Sequence, residues 1–411
     1  NKQSRHAGIA YFIAKYMTLK KLTGKLHLWL GLTTGLIVFI IALTGALYCF
    51  APELQLLTQD YQHVQEQNKQ FLPPSQIKAI AEEQLKDKPA VRIYYGSKTR
   101  SVMVLLSKKE EYSYSVFIDP YTGEVLKIRN NDREFFSVVL KLHRTLLIPY
   151  GHHIITWSTI IFLVMLISGL ILWWPKNKRT AKHGYKIKWN ASPKRLNYDL
   201  HKVLGFYASW LLIFSALTGL MWASESFADA VYKITGSSRS IVQKKPPQTD
   251  TVAVSSLTVA PIDAIWYRIE KELYHNYATA MFVLPATKTD PILLRANPEK
   301  ETLYKTDFRY FNQHTGQEIA GAFVWGNYKD AVTAADHIKR MNYDIHTGAI
   351  FGLPGRFAMF FAALIAASEG SGVGKYTLFV KLLVINCAFP TNSESLYLLK
   401  DVVMSTFFIK R

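Results

Sequence analysis

Three runs of this sequence are apolar for about twenty residues or more, the length a helix needs to cross the hydrocarbon core of a bilayer. They are Leu26 to Phe50, closed by Ala51-Pro52; Ile154 to Trp174, closed by Pro175; and Val203 to Ala223. A fourth run is shorter. Phe357 to Ala367 is apolar, but Glu369 and the Gly-Ser-Gly stretch at 370–372 interrupt it, and a full span needs Ile345–Gly355 as well. The first run is long and lacks a small-residue cleavage site, so it reads as a signal anchor. The expectation is a membrane α-helical bundle of four transmembrane helices.

The chain is basic, with 49 Lys and Arg against 30 Asp and Glu. Such an excess can mark a nucleic-acid binder, but here the cations cluster beside the apolar runs, where they set orientation. Lys15, Lys20, Lys21 and Lys25 precede the first run. Lys176, Lys178, Arg179, Lys182, Lys186, Lys188, Lys194 and Arg195 lie between the second and third. Both flanks are expected on the cytoplasmic side, with 52–142 and 224–340 outside. Nucleic acid is not an expected partner; membrane lipid is. Two cysteines, Cys49 and Cys387, form neither CxxC nor CxxCH. That disfavours thioredoxin-like chemistry, Cys-rich zinc sites and covalently attached haem. No Walker A loop and no strand-linked GxGxxG is present.

The chain repeats itself. His27-Leu-Trp-Leu-Gly31 with Ala42-Leu-Thr-Gly45 matches His201-Lys-Val-Leu-Gly205 with Ala216-Leu-Thr-Gly219, offset for offset. Lys-Leu-His143 precedes Pro149 and Gly151, as Asp-Ile-His346 precedes Pro354 and Gly355. Outside the spans, FIDPYTGEVL at 117–126 echoes YFNQHTGQEI at 310–319, each reading as strand, turn and strand. A helix is expected upstream of each, at Pro74–Leu85 and Pro261–Leu273. The unit is therefore span, outer α+β domain, span, used twice.

These residues resemble the PepSY-associated transmembrane family. The resemblance covers roughly 20–368. It rests on His27 to Leu47, Asp119 to Leu126, Leu142 to Arg144, Ser168 to Pro175, Leu200 to Leu220 and Ile345 to Gly348. It implies an inner-membrane protein with PepSY-type periplasmic domains, in a family of diverse function in which some members are haem-containing reductases of siderophore-bound iron. Two departures stand out: Gly151 is followed by His152 and His153 where members show Gly-Arg, and the Thr-Gly, Trp-Trp and basic tail expected to close span 4 are absent after Ser368.

The layout expected is a cytoplasmic N-terminus (1–25), span 1 (26–51), a first periplasmic PepSY-like α+β domain (52–135), an outer-interface segment with span 2 (136–175), a basic cytoplasmic loop (176–200), span 3 (201–223), a second periplasmic domain (224–342), span 4 (343–368) and an atypical tail (369–411). A histidine near one end of each span is the chemical signal. Ionisable residues are costly in lipid and usually have a reason to be there. Neutral imidazole is the common axial ligand of b-type haem. Following the repeat, His27 and His201 are expected to hold one haem b near the cytoplasm, and His143 and His346 a second near the outside. His152 and His153 are alternatives to His143, or face solvent. Arg144 and Arg356 are candidates for haem propionates or lipid headgroups. The remaining histidines, His6, His63, His183, His275, His314 and His337, read as surface residues. The function expected is electron transfer from a quinol or cytoplasmic reductant to a periplasmic acceptor, ferric siderophore iron above all. The competing reading is a non-catalytic membrane protein whose PepSY modules bind or regulate envelope proteins.

Overall fold

The structure is a computed structural model, and it describes residues 2–175, 177, 184–236, 247–249, 258–300, 302–320, 326–330 and 333–370. The tail from 371 onward, with Cys387, and the loop residues Lys176, Lys178, Arg179, Lys182 and His183 lie outside the described residues.

Four segments are long and apolar enough to cross a membrane: Leu19–Cys49, Gly151–Trp173, Pro193–Ala223 and Ala349–Glu369. The first belongs to α1 (Lys2–Cys49), which runs into α2 (Ala51–Thr58) across the kink at Phe50. The second is α5 (Gly151–Trp173), stopped by Trp174-Pro175, because proline cannot donate the next helical hydrogen bond. The third is α6 (Pro193–Ala223), with its proline in the first turn, where no donor is missed. The fourth is formed largely by α10 (Gly352–Gly370). Around the bundle, α1 packs on α5, α5 on α6, α6 on α10, and α10 on α1. Small residues close the interior: Ala208 of α6 and Ala362 and Ala366 of α10 are buried against Ala42 of α1. Close packing through small side chains is how helices associate in lipid, where no hydrophobic drive operates between them.

Two short helices precede spans 2 and 4: α4 (Phe135–Thr145) and α9 (Ala334–Thr347). Glu134 caps α4 by accepting from the Ser137 amide at 2.6 Å. Thr333 and Asp336 form a reciprocal capping box on α9. The left-handed residues Leu146 and Gly348 end the two helices. Each chain reversal then brings backbone against backbone. A side chain at Gly151 would meet the Thr145 carbonyl at 1.7 Å, and one at Gly355 would meet that of Gly348 at 2.1 Å. Only glycine permits that approach. His143 and His346 thus lie on these separate helices and not on the spans, and span 4 begins at Ala349, not at 343.

Outside the bundle, eight strands form one antiparallel sheet in the order β4-β3-β2-β1-β5-β6-β7-β8. The first repeat supplies β1 (Ala90–Tyr95), β2 (Val102–Lys108), β3 (Tyr112–Ile118) and β4 (Val125–Asn130). The second supplies β5 (Thr279–Val283), β6 (Ile292–Asn297), β7 (Asp307–Phe311) and β8 (Glu318–Ile319). The halves join at β1 and β5, where Ile93 faces Phe282 and Tyr94 faces Met281. One face packs under α3 (Pro74–Gln84) and α8 (Pro261–Asn276); Ile77, Ile93, Val104, Trp266, Ile269, Phe282 and Leu294 share a single core there. The Ser75 amide donates to Asp263 at 2.9 Å and so ties α3 to α8. The two PepSY-like units expected from the repeat therefore share one continuous sheet and one core. A short helix, α7 (Glu225–Ile234), links span 3 to the second unit.

Candidate functional site: two histidine pairs in the bundle

Each predicted histidine pair meets. The rings of His27 and His201 are centred 6.1 Å apart, at 67° to one another. Those of His143 and His346 are 6.3 Å apart at 71°. α1 and α6 bring the first pair together from opposite repeats, each packing on both α5 and α10. α4 and α9 bring the second together against the sheet-side ends of those same spans.

The hydrogen bonds fix which ring nitrogen is left over. Nδ1 of His143 lies 2.9 Å from the Ile41 carbonyl and 3.1 Å from Oγ1 of Thr44. Nδ1 of His346 lies 2.9 Å from the Ser215 carbonyl and 3.1 Å from Oγ1 of Thr218. A carbonyl only accepts, so each Nδ1 carries the proton and each Nε2 keeps its lone pair. Nδ1 of His27 is 2.8 Å from Oγ of Ser168, whose own proton goes to the Met165 carbonyl; it too donates. At His201 the nearby group is a carboxylate, with Oε1 of Glu369 at 3.6 Å from Nδ1.

The repeat is kept in three dimensions. Ile41 and Thr44 follow His27, and Ser215 and Thr218 follow His201, at the same offsets along α1 and α6. That interval of fourteen residues to Ile41 or Ser215 sets the two pairs about 21 Å apart along the bundle axis. Glycines face the rings. A methyl at Gly45 would lie 3.2 Å from Cε1 of His143, at Gly219 3.4 Å from that of His346, and at Gly169 3.4 Å from that of His27.

The donor set suits a metal held by two facing imidazoles. A metal bound through two imidazole nitrogens at about 2 Å each holds the ring centres about 6 Å apart. Both pairs have that separation, and in His27, His143 and His346 Nδ1 is engaged behind the ring in the way that orients metal-binding histidines. Among the described residues no group of three or more His, Cys, Asp or Glu gathers around one point. Any group held here must therefore bring most of its own ligands, as a porphyrin does.

Other candidates are placed elsewhere. His152 and His153 are exposed on the first turn of α5 and face each other at 5.7 Å, so they do not replace His143. Arg144 is exposed. Arg356 is buried but already engaged: it forms a two-pronged ion pair with Glu53 at 2.5 and 2.7 Å and donates to the Cys49 carbonyl. Its guanidinium locks α10 to the α1–α2 corner and is not free for a propionate. The hydroxyls of Ser168, Thr44 and Thr218 and the carboxylate of Glu369 were not legible as site residues, although the twice-used Thr-Gly step marked two of them.

No curated protein matches the chain. The family described as the PepSY-associated TM region matches residues 25–368, which includes all four spans' apolar cores, both sheet halves and all four paired histidines. The protein is a multi-pass membrane protein, and it belongs to the PepSY-associated TM family.

Proposed function

We propose that the protein is a haem b-containing reductase of the bacterial inner membrane, passing electrons across the bilayer to an acceptor on the sheet side. His27 with His201, and His143 with His346, would each hold one haem. The observation that supports this reading is the pair of ring separations, 6.1 and 6.3 Å, with Nδ1 of His27, His143 and His346 donating and their Nε2 lone pairs left for a ligand. Haem supplies one-electron redox chemistry at a potential set by its ligands and surroundings. The chain's part is to fix the imidazole tautomers, keep the pairs apart along the axis and exclude water with the apolar bundle.

Lys and Arg crowd the flank of span 1 and the segment between spans 2 and 3, a bias that supports those ends in the cytoplasm and the sheet in the periplasm. Electrons would enter from a quinol or a cytoplasmic reductant and leave at the His143–His346 end. Ferric iron held by a siderophore is the acceptor we assign. Reduction gives a softer, less charged ion that hard oxygen donors hold less strongly, so release needs no acid or nucleophile.

A visible spectrum of the purified protein tests the proposal. We expect a Soret band, a sharp reduced α band and two haems per chain. A folded, colourless preparation would remove the redox reading and leave a PepSY protein that binds or regulates envelope partners.

A further inference from the structure

Three of the four paired imidazoles rest on neutral partners. Behind Nδ1 of His143 and of His346 stand a backbone carbonyl and a threonine hydroxyl, and behind that of His27 the Ser168 hydroxyl. His201 breaks the pattern. The group facing its Nδ1 is the carboxylate of Glu369, on the last turn of α10, with Oε1 at 3.6 Å. The two halves of the bundle differ here. Gly169 packs on the ring of His27, whereas α10 brings an acidic side chain to that of His201.

The carboxylate has little else to answer it. Oε1 is buried and has no hydrogen-bond partner among the described residues. Its ion-pair partner among those residues is His201, not a Lys or Arg. Arg195 is engaged elsewhere, with Asp199 at 3.0 Å. Gly205, one turn past His201 on α6, makes room for the acid: a methyl there would lie 3.1 Å from Oε1. A buried acid without a donor is costly, and one inside a membrane span usually has a functional partner. Two things would answer this one: a proton on Nδ1 of His201, and the positive charge of a ferric site held by Nε2.

We propose that Glu369 is the positioning residue of His201. At 3.6 Å the attraction is electrostatic. A carboxylate only accepts, so it favours the proton on Nδ1 and leaves Nε2 its lone pair for a metal. It also gives the His27–His201 pair a negative charge that the other pair lacks; there the residue adjacent to His143 is the cation Arg144. Negative charge favours ferric over ferrous iron, so the two sites differ in potential, with the lower at His27–His201. The tautomer stands on the geometry alone, and the potential rests on the reductase reading.

The test has two arms, both on the full chain in detergent. In the first, the haem-loaded protein is titrated with reductant and followed by its visible spectrum. The His27–His201 site is identified as the midpoint missing from His27→Ala. Glu369→Gln, which keeps the shape and removes the charge, is expected to favour reduction of that site about tenfold, a rise of about 59 mV for one electron. The other midpoint and the count of two haems should not change, and Glu369→Asp should stay near the unaltered value. An unmoved midpoint in Glu369→Gln, or an equal shift at both sites, would overturn the proposal. In the second arm, nitrogen NMR of the histidine-labelled chain before haem is added reads the tautomer of His201, its signal assigned by its loss in His201→Ala. We expect the Nδ1–H form in the unaltered chain and its loss of preference in Glu369→Leu. The Nε2–H form in the unaltered chain, or the same tautomer in Glu369→Leu, would overturn the proposal; if the variants do not fold, the unaltered chain decides. The arms separate the two readings. A chain that takes no haem but shows the Glu369-dependent tautomer keeps the positioning role and loses the reductase. A haem-loaded chain whose midpoints ignore Glu369 loses this inference alone.

Discussion

At the scale of single residues, the bundle is organised by what stands behind each imidazole. Gly45 is the clearest case, since a methyl there would press on Cε1 of His143 at 3.2 Å, closer than ordinary carbon–carbon contact. Gly45→Ala is therefore expected to displace that ring and cost roughly half of the haem absorbance, one site of two. Gly31→Ala is the control. Its methyl would meet only the flexible end of Met165 at 3.3 Å, and both haems should remain. Equal spectra for the two variants would show that Gly45 does not position His143. The four histidines were legible because each recurs at a fixed place in a repeat. Their acceptors were not. Ile41 and Ser215 act through backbone carbonyls, which leave no trace in residue type.

At the scale of elements, the spans were legible from apolar length, and the structure refines where each begins. The sequence shows α9 and span 4 as one blurred segment. Gly348, at φ +79°, ends the first, and a three-residue turn precedes α10. The corner between α2 and α10 carries a pH dependence. Burial, the largest single influence, would raise the Glu53 carboxyl, but the hydrogen bonds from Arg356 and from the backbone, with the positive charges of Arg356 and Lys300, together outweigh it and leave the group below the ordinary carboxylate value. A depressed carboxylate contributes stability that is present above its unfolded value and lost as pH falls through its folded value. The melting temperature of the unaltered protein should thus fall on acidification below the ordinary carboxylate range, and that of Glu53→Gln should fall less steeply. Parallel acid profiles would mean that the Glu53–Arg356 pair does not couple the helices.

At the scale of the molecule, two copies of one unit are fused twice, through crossed histidine pairs in the bundle and through β1 and β5 in the sheet. The repeat foretold two outer α+β units; their union into one sheet is a matter of strand pairing, which the repeat alone leaves open. Phe282 is fully buried at that junction. Phe282→Ala is expected to cost about 3–5 kcal/mol. Hydrogen exchange should then quicken in β1–β4 as well as in β5–β8, because the core is shared; loosening confined to β5–β8 would show two independent units. The central claim is that facing imidazoles at both ends of the bundle each bind iron porphyrin. The most direct measurement is the haem-to-protein ratio of the unaltered chain beside the His27→Ala and His143→Ala variants. The account predicts two haems per chain, one lost in each variant, with different α bands surviving. A folded chain without haem, or variants that keep the full complement, would contradict it.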